Sequence, residues 1–152
     1  MAVNFLRIPN DFNGVTCRAV VEVPKGTQVR REVQNEFPSS FPHTKTHHIP
    51  FFANYGFIPS TLDGDGDCLD CYIVGDVLAV KTVHMVYPRL CIDFIDTDGQ
   101  DYKIVSVLDP NMSDAEVRMV AEAICRAMGI EVTAIQDQEF ANRVIKLTSI
   151  IK

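Results

Sequence analysis

The sequence predicts a mainly β fold, a small barrel of short strands followed by two helices in an α+β arrangement. Three observations predict it. Short apolar runs rich in β-branched and aromatic residues fill the first two thirds of the chain. Close turn signals separate them, the pattern of a small closed barrel. The last third then changes to helical spacing.

The first strand is CRAVVEVP at 17–24, which alternates enough to be half-buried, with Ala19, Val21 and Val23 on one face and Glu22 on the other. Lys25-Gly26 supports a turn, and the run TQVRREV follows it. A loop rich in Pro, Ser and His spans 37–50, and the aromatic run FFANYGFI at 51–58 reads as a strand. LDCYIV at 69–74 is a short buried strand. Two more strands are expected at 83–87 and 89–96, separated by Pro88. Thr97-Asp98-Gly99 is a hairpin signal leading into DYKIVSVL at 101–108.

Ser113 followed by Glu116 has the form of a capping box, and Val117, Val120, Ala121, Ile124 and Met128 recur at helical spacing up to Gly129. A second helix is expected over 135–148, with Phe140, Val144, Ile145 and Leu147 inward and no clear start signal.

At 152 residues, with no repeat, low-complexity tract or linker, the chain is expected to form a single domain over 1–152. A domain of this length buries about 70% of the surface of its unfolded chain, so no disulfide or structural metal is needed to hold it. The formal charge of −6 argues against a nucleic-acid partner, whose binding rests on lysine and arginine. It leaves room for a small phosphate ligand, because a divalent cation supplies positive charge locally. The start, MAVNFLRIPNDF, lacks a basic end followed by an apolar core, so no secretory signal is expected, and no apolar run is long enough to span a membrane. The cysteines, Cys17, Cys68, Cys71, Cys91 and Cys125, are odd in number and scattered, which suggests reduced thiols and a cytoplasmic protein. Cys68 and Cys71 make a C-x-x-C with no second half to complete a zinc site.

The densest chemical feature is LDGDGDCLD at 62–70, which places Asp63, Asp65, Asp67 and Asp70 beside a strand expected to be buried. Glycines let the backbone fold so that the carboxylates converge. Converging, buried carboxylates must be protonated or share a cation. A hard cation such as Mg²⁺ takes oxygen ligands and bridges carboxylates to phosphates. An EF-hand is excluded, because counting from Asp63 puts Cys68 where the loop needs Gly and Val74 where it needs the bidentate Glu. A second acidic group, Asp93, Asp96, Asp98 and Asp101, surrounds the hairpin, and strand alternation puts Asp101 and Lys103 on one face. Arg30, Arg31, Lys45 and Lys103 are candidate phosphate-holding groups, and Tyr55 adds a hydroxyl. Arg30 and Glu32 share one face of their strand. His43, His47 and His48 lie in the loop before the aromatic strand, and His84 reads as structural.

Asp65-Gly66-Asp67-Cys68-Leu69-Asp70 resembles the D-x-D-P-x-D signature of the family I soluble inorganic pyrophosphatases. The similarity continues through VVEVPKG, ANYGFIP and IDTDGQDYKIVSV, covering roughly residues 17 to 110. The resemblance implies an OB-like β-barrel with C-terminal helices, dependence on Mg²⁺ (with Mn²⁺ as a substitute), pyrophosphate as substrate, and a homo-oligomer, hexameric in many bacteria. Carried over by position, it implies Asp65, Asp70, Asp96 and Asp101 as metal ligands and Asp67 as the base toward the attacking water. Glu22 and Glu32 match acidic positions lining the site. Tyr55 and Lys103 match phosphate-binding positions directly, Arg30 stands where the family has a lysine, and Lys45 lies close to where it has an arginine.

Three departures accompany the resemblance. Cys68 replaces the signature proline, which is expected to loosen the loop. His43 sits near the expected arginine. The family's late Tyr-Lys pair has no counterpart, Ile124-Cys125-Arg126 standing in that region with Arg126 as the available charge. Alongside pyrophosphate hydrolysis, the altered basic residues leave open a related metal-dependent phosphoanhydride hydrolase, or a non-catalytic barrel that binds metal or phosphate.

Overall fold

A computed structural model describes residues 4–26, 53–64, 66–96 (Asp96 by its backbone only) and 99–150. The expected TQVRREV strand, the 37–50 loop, residues 51–52 and Thr97-Asp98 lie outside the described residues.

Among the described residues six strands form one sheet: β1 (Cys17–Val23), β2 (Asn54–Ile58), β3 (Leu69–Val74), β4 (Val83–Asp96), β5 (Gly99–Val107) and the two-residue β6 (Ile135–Gln136). Their order is β1-β2-β3-β5-β4-β6, and β4 also pairs with β1. That extra pairing closes β1, β2, β3, β5 and β4 into a barrel, which removes the exposed edges of an open sheet. All pairings are antiparallel except β3 with β5, which is parallel and sets Asp70 beside Lys103 and Tyr72 beside Val105.

Closure depends on Gly56. It lies where β1 and β2 approach so closely that a Cβ would sit 1.8 Å from the Val20 carbonyl oxygen. β1 is buried almost throughout, Val20 and Glu22 included, rather than half-buried as its alternation suggests.

The expected break at Pro88 is absent. β4 runs unbroken from Val83 to Asp96, its first part pairing with β1 and its second with β5. Proline has no N–H to give a ladder, and the strand accommodates it by a register shift between Pro88 and Leu90. Arg89 in that bulge donates to the Met112 carbonyl at 3.0 Å and pairs with Asp114, fastening the start of the first helix.

That helix, α1 (Asp114–Met128), begins at Ser113, whose hydroxyl accepts the Glu116 N–H at 3.2 Å. It ends at Gly129 in the left-handed conformation (φ 71°), with the Ile130 N–H reaching back to the Cys125 carbonyl. Its apolar stripe, Val117, Ala121, Ile124 and Cys125, packs with Tyr55, Tyr72, Val74, Ile92, Val105 and Val107.

The second helix, α2 (Gln138–Thr148), starts later than expected. Asp137 caps it by accepting the Phe140 N–H at 2.9 Å, and Ile135-Gln136 pair with β4 instead of entering the helix. Ala141, Val144 and Ile145 face the barrel, against Cys17, Val21, Cys71 and Ile104. Leu147, expected inward, is 79% exposed, because it falls on the flank of a stripe set by 141, 144 and 145. Phe140 shares that flank but meets the Tyr102 ring at 6.1 Å and is half-buried. The end of α2 straps the segment leaving β2: Leu62 N–H bonds the Thr148 carbonyl at 2.9 Å, and Ile150 N–H bonds the Ser60 carbonyl at 3.0 Å.

Among the described residues no helix is long and apolar enough to cross a membrane. All five cysteines are buried and unpaired.

Candidate functional site

Strand alternation puts Asp70, Tyr72 and Val74 on one face of β3, and Asp101, Lys103, Val105 and Val107 on the matching face of β5. The two strands run parallel in register, so charged residues lie together at one end and apolar residues at the other. α1 covers the apolar end. The charged end carries the site.

Lys103 is its centre. Its ammonium is buried, 2.7 Å from Asp70 Oδ2 and 3.6 Å from Asp101 Oδ2. It also lies 5.7 Å from the centre of the Tyr55 ring and 5.8 Å from that of Phe94. Burial alone would lower its pKa, but the adjacent carboxylates, Asp70 foremost, outweigh burial and hold the pKa above the ordinary lysine value. The ammonium therefore stays charged inside the barrel wall.

The loop between β2 and β3 is built by local hydrogen bonds. Thr61 Oγ1 donates to the Ile58 carbonyl at 2.6 Å and accepts the Leu69 N–H at 2.8 Å, tying the two ends together. Within it, Asp63 N–H bonds the Asp67 carbonyl at 2.8 Å, and Gly66, with φ at +89°, returns its N–H to the Asp63 carbonyl at 3.0 Å. Cys68, standing for the signature proline, is buried with Leu6, Val20 and Phe57. The expected loosening of this loop is thus opposed by hydrogen bonds at its base and packing at Cys68.

Around Lys103 the described residues bury five carboxylates, those of Glu22, Asp63, Asp67, Asp70 and Asp101. Tyr55 is buried with its hydroxyl facing the Asp70 carboxylate; burial first, then Asp70 and Glu22, raise its pKa well above the ordinary tyrosine value. Asp101 is pushed up to about 7 by burial, against the pull of Lys103, with Asp70 and Asp63 pushing the same way as burial. Its Oδ1 is buried with no hydrogen-bond donor.

Among the described residues these five buried carboxylates gather near one buried ammonium, that of Lys103, and the orphaned Asp101 oxygen adds to the cost of that charge. All the donors are hard oxygens, the set that suits a divalent cation of the Mg²⁺ type. These residues therefore fit such an ion. Among the described residues no three His, Cys, Asp or Glu side chains close on one point.

Glu22, Tyr55, Asp67, Asp70, Asp101 and Lys103 are buried residues linked in one charged region. Arg126 is not part of it. Its side chain is 67% exposed and pairs with Glu122, one helical turn back, while Ile124 and Cys125 are core residues. Arg30, Glu32, Lys45 and Asp65 lie outside the described residues, as do the side chain of Asp96 and His43, His47 and His48.

Two residues were given no role of their own by the sequence. Asp63 belongs to the aspartate run, but nothing in its spacing separates it from a turn residue. Asn54, fully buried, accepts the Lys25 and Leu78 N–H groups and donates to the Ile73 and Asp76 carbonyls, which locks the far end of β2 to β3.

Fold and site together define a class: an OB-like barrel with C-terminal helices and a buried, oxygen-rich anionic centre built around one lysine. The sequence profile of the Pyrophosphatase family, described as inorganic pyrophosphatase, matches residues 19–136. The inorganic pyrophosphatase of Ralstonia nicotianae is 34% identical over 128 residues, covering 74% of this chain and 63% of that protein. That of Saccharolobus solfataricus is 32% identical over 135 residues, covering 78% and 70%. Among solved structures, the Thermus thermophilus inorganic pyrophosphatase superposes with a TM-score of 0.70 at 22% identity, covering 96% of this chain and 97% of that one. The Schistosoma japonicum enzyme superposes with a TM-score of 0.71 at 19% identity, covering 97% and 70%. These superpositions support the fold. The chain belongs to the inorganic pyrophosphatase family.

Proposed function

We propose that this chain hydrolyses inorganic pyrophosphate to two phosphates with the help of Mg²⁺, Mn²⁺ serving as a substitute. The observation that carries the proposal is the buried Lys103 ammonium shared by Asp70 and Asp101, with Asp101 Oδ1 left without a donor. Asp70 and Asp101, with Asp65 and Asp96, are the residues that would hold the metal. When bound, the metal supplies positive charge to phosphate oxygens and acidifies water.

This chain's own residues do the rest. Asp67 accepts a proton from the water that attacks phosphorus. The bond from that phosphorus to the bridging oxygen breaks, and the second phosphate leaves with the bridging oxygen. Lys103 and Tyr55, assisted by Arg30 and Lys45, stabilise charge on the departing phosphate. Glu22 and Glu32 line the site. No covalent enzyme intermediate is needed. A truncated Trypanosoma cruzi vacuolar soluble pyrophosphatase, similar in fold with a TM-score of 0.68, is described in complex with PPi, which supports the same ligand here.

One observation favours a second reading, a related phosphoanhydride hydrolase with a shifted substrate. Where the family's phosphate-gripping pair is expected, α1 presents core residues Ile124 and Cys125 and an outward Arg126. Phosphate release measured over pyrophosphate, tripolyphosphate and nucleoside di- and triphosphates with Mg²⁺ decides between them. Pyrophosphate as the best substrate supports the first reading, and as a poor one the second. Binding of a pyrophosphate analogue with no hydrolysis of any of them would leave a non-catalytic binder.

The reading extends to a single domain over 1–152, a cytoplasmic location and a homo-oligomer, hexameric by resemblance. Exposed Ile95, Met119 and Leu147 offer apolar surface for self-association.

A further inference from the structure

The aspartate loop is anchored by a part of the chain that the proposed mechanism does not use. Val20, Phe57, Asp70 and Lys103 are successive register partners across β1, β2, β3 and β5. Register partners share a face of the sheet, so this row runs from an apolar end at Val20 and Phe57 to the charged pair. Cys68 from the loop and Leu6 from the segment before β1 complete the apolar end. The four form one buried cluster, with Phe5 packed against it. Cys68 directly follows Asp67, so the backbone that carries Asp67 is fastened through this cluster.

The segment that brings Leu6 is held without help from the Leu6 side chain. It forms a 3-10 turn, Phe5–Arg7, opened by Asn4, whose side chain accepts the Leu6 N–H at 3.2 Å. The Ser60 N–H bonds the Leu6 carbonyl at 2.8 Å, and the Ser60 hydroxyl donates to the Ile8 carbonyl at 2.7 Å. Asn10 Nδ2 donates to the Pro59 carbonyl at 3.0 Å. Ser60 is buried and sits at a φ of +56°, a conformation that persists in a serine where its surroundings impose it. A change of the Leu6 side chain leaves all of these bonds in place and alters the cluster alone.

We propose that Leu6 is a positioning residue, which by packing in one cluster with Cys68 holds Asp67 where it accepts the proton of the attacking water. The inference rests on the hydrolytic reading above, in which Asp67 is the base, and adds to it a residue that touches no substrate. A gap at Leu6 lets the loop relax toward it, and a reacting group misplaced by about 1 Å costs up to about 10²-fold in rate.

The test compares wild type, Leu6→Ala, Leu6→Met, Cys68→Ala and the double variant of Leu6→Ala with Cys68→Ala. Val86→Ala, in the cluster under α2, serves as a core variant away from Leu6. Two properties are read: kcat and KM for pyrophosphate with Mg²⁺, and amide hydrogen exchange of Asp63 and Gly66 in metal-free protein. Both of those N–H groups bond within the loop. Leu6→Ala is expected to lower kcat about tenfold or more, with KM little changed, and to speed exchange at both amides. Leu6→Met, of similar volume, should restore both properties. The double variant should lose less than the product of the two single losses, because the side chains act through one cluster. Val86→Ala should lower the melting temperature and leave kcat unchanged. Leu6→Val takes the place of Leu6→Ala should that variant fail to fold. An unchanged kcat in folded Leu6→Ala would overturn the inference, as would single losses that multiply in the double variant. An equal kcat loss in Val86→Ala would reduce Leu6 to a stabilising residue. Absence of turnover in wild type would sink the hydrolytic reading instead, and unchanged exchange at Asp63 and Gly66 would still show that Leu6 does not hold the loop.

Discussion

Lys103 and Asp70 stand side by side on parallel strands, their side chains joined at 2.7 Å inside the barrel wall. Asp101, two residues before Lys103 on the same strand, takes a longer share of the ammonium at 3.6 Å.

Removing the ammonium should therefore do more than remove one contact. Lys103→Met leaves Asp70 and Asp101 buried and uncompensated, at a cost of about 3–5 kcal/mol. Urea denaturation checks this. Mg²⁺ should restore part of the loss, since it can neutralise the same carboxylates. A variant as stable as wild type without metal would show that the pair carries no structural weight.

Tyr55 presents its hydroxyl toward Asp70 beside the ammonium. Tyr55→Phe keeps the ring packed on Tyr72, 5.0 Å away, and removes the hydroxyl alone. A hydrogen bond to a charged phosphate is worth about 1.5–3 kcal/mol, so kcat/KM for pyrophosphate should fall about 10- to 100-fold. Steady-state kinetics provide the check, and an unchanged kcat/KM would remove Tyr55 from the substrate side.

Gly56 tests the closure of the barrel. A methyl group there collides with the Val20 carbonyl oxygen of β1, in backbone that cannot swing away. Gly56→Ala should destabilise the protein by about 3 kcal/mol or prevent folding. Melting temperature or soluble yield reports it, and a fully stable variant would mean that β1 and β2 pair differently.

The buried thiols set a pH dependence. Burial pushes Cys68 and Cys71 up to about 12, and it raises Cys17, Cys91 and Cys125 as well. In the unfolded chain a thiol ionises near about 8.5. Below that value both states keep the proton and the thiols contribute no slope. Above it the unfolded chain loses protons that the fold retains, so stability falls as pH rises from about 9 toward 12. Each thiol contributes up to about 1.4 kcal/mol per pH unit in that window. Urea midpoints in reductant should be level between pH 7 and 8 and fall between pH 9 and 10. A level curve to pH 10 would contradict the burial.

Much of this was legible in the sequence where a local rule decides. Ser113 with Glu116 marked the start of α1, and Gly129 its end, because capping is a contact between near neighbours. Strand alternation put Asp101 and Lys103 on one face, and they are in contact. Where the sequence misled, distant partners had decided. Pro88 reads as a break, yet a bulge against β5 carries the strand through it. Ile135 reads as helix, yet Ile92 on β4 draws it into a strand. Leu147 has helical spacing from Val144, but the barrel meets the stripe on its other side. The bond between Lys103 and Asp70 was out of reach for the same reason, since it depends on β3 and β5 lying parallel while β4 separates them in the chain.

The most direct measurement is phosphate release from pyrophosphate by the wild-type chain and by Asp67→Asn, each with Mg²⁺ and with a chelator. The account predicts turnover only with the metal, falling by about 10²-fold or more in Asp67→Asn while the melting temperature holds. No release from folded, Mg²⁺-loaded protein, or equal rates in the two proteins, would contradict it.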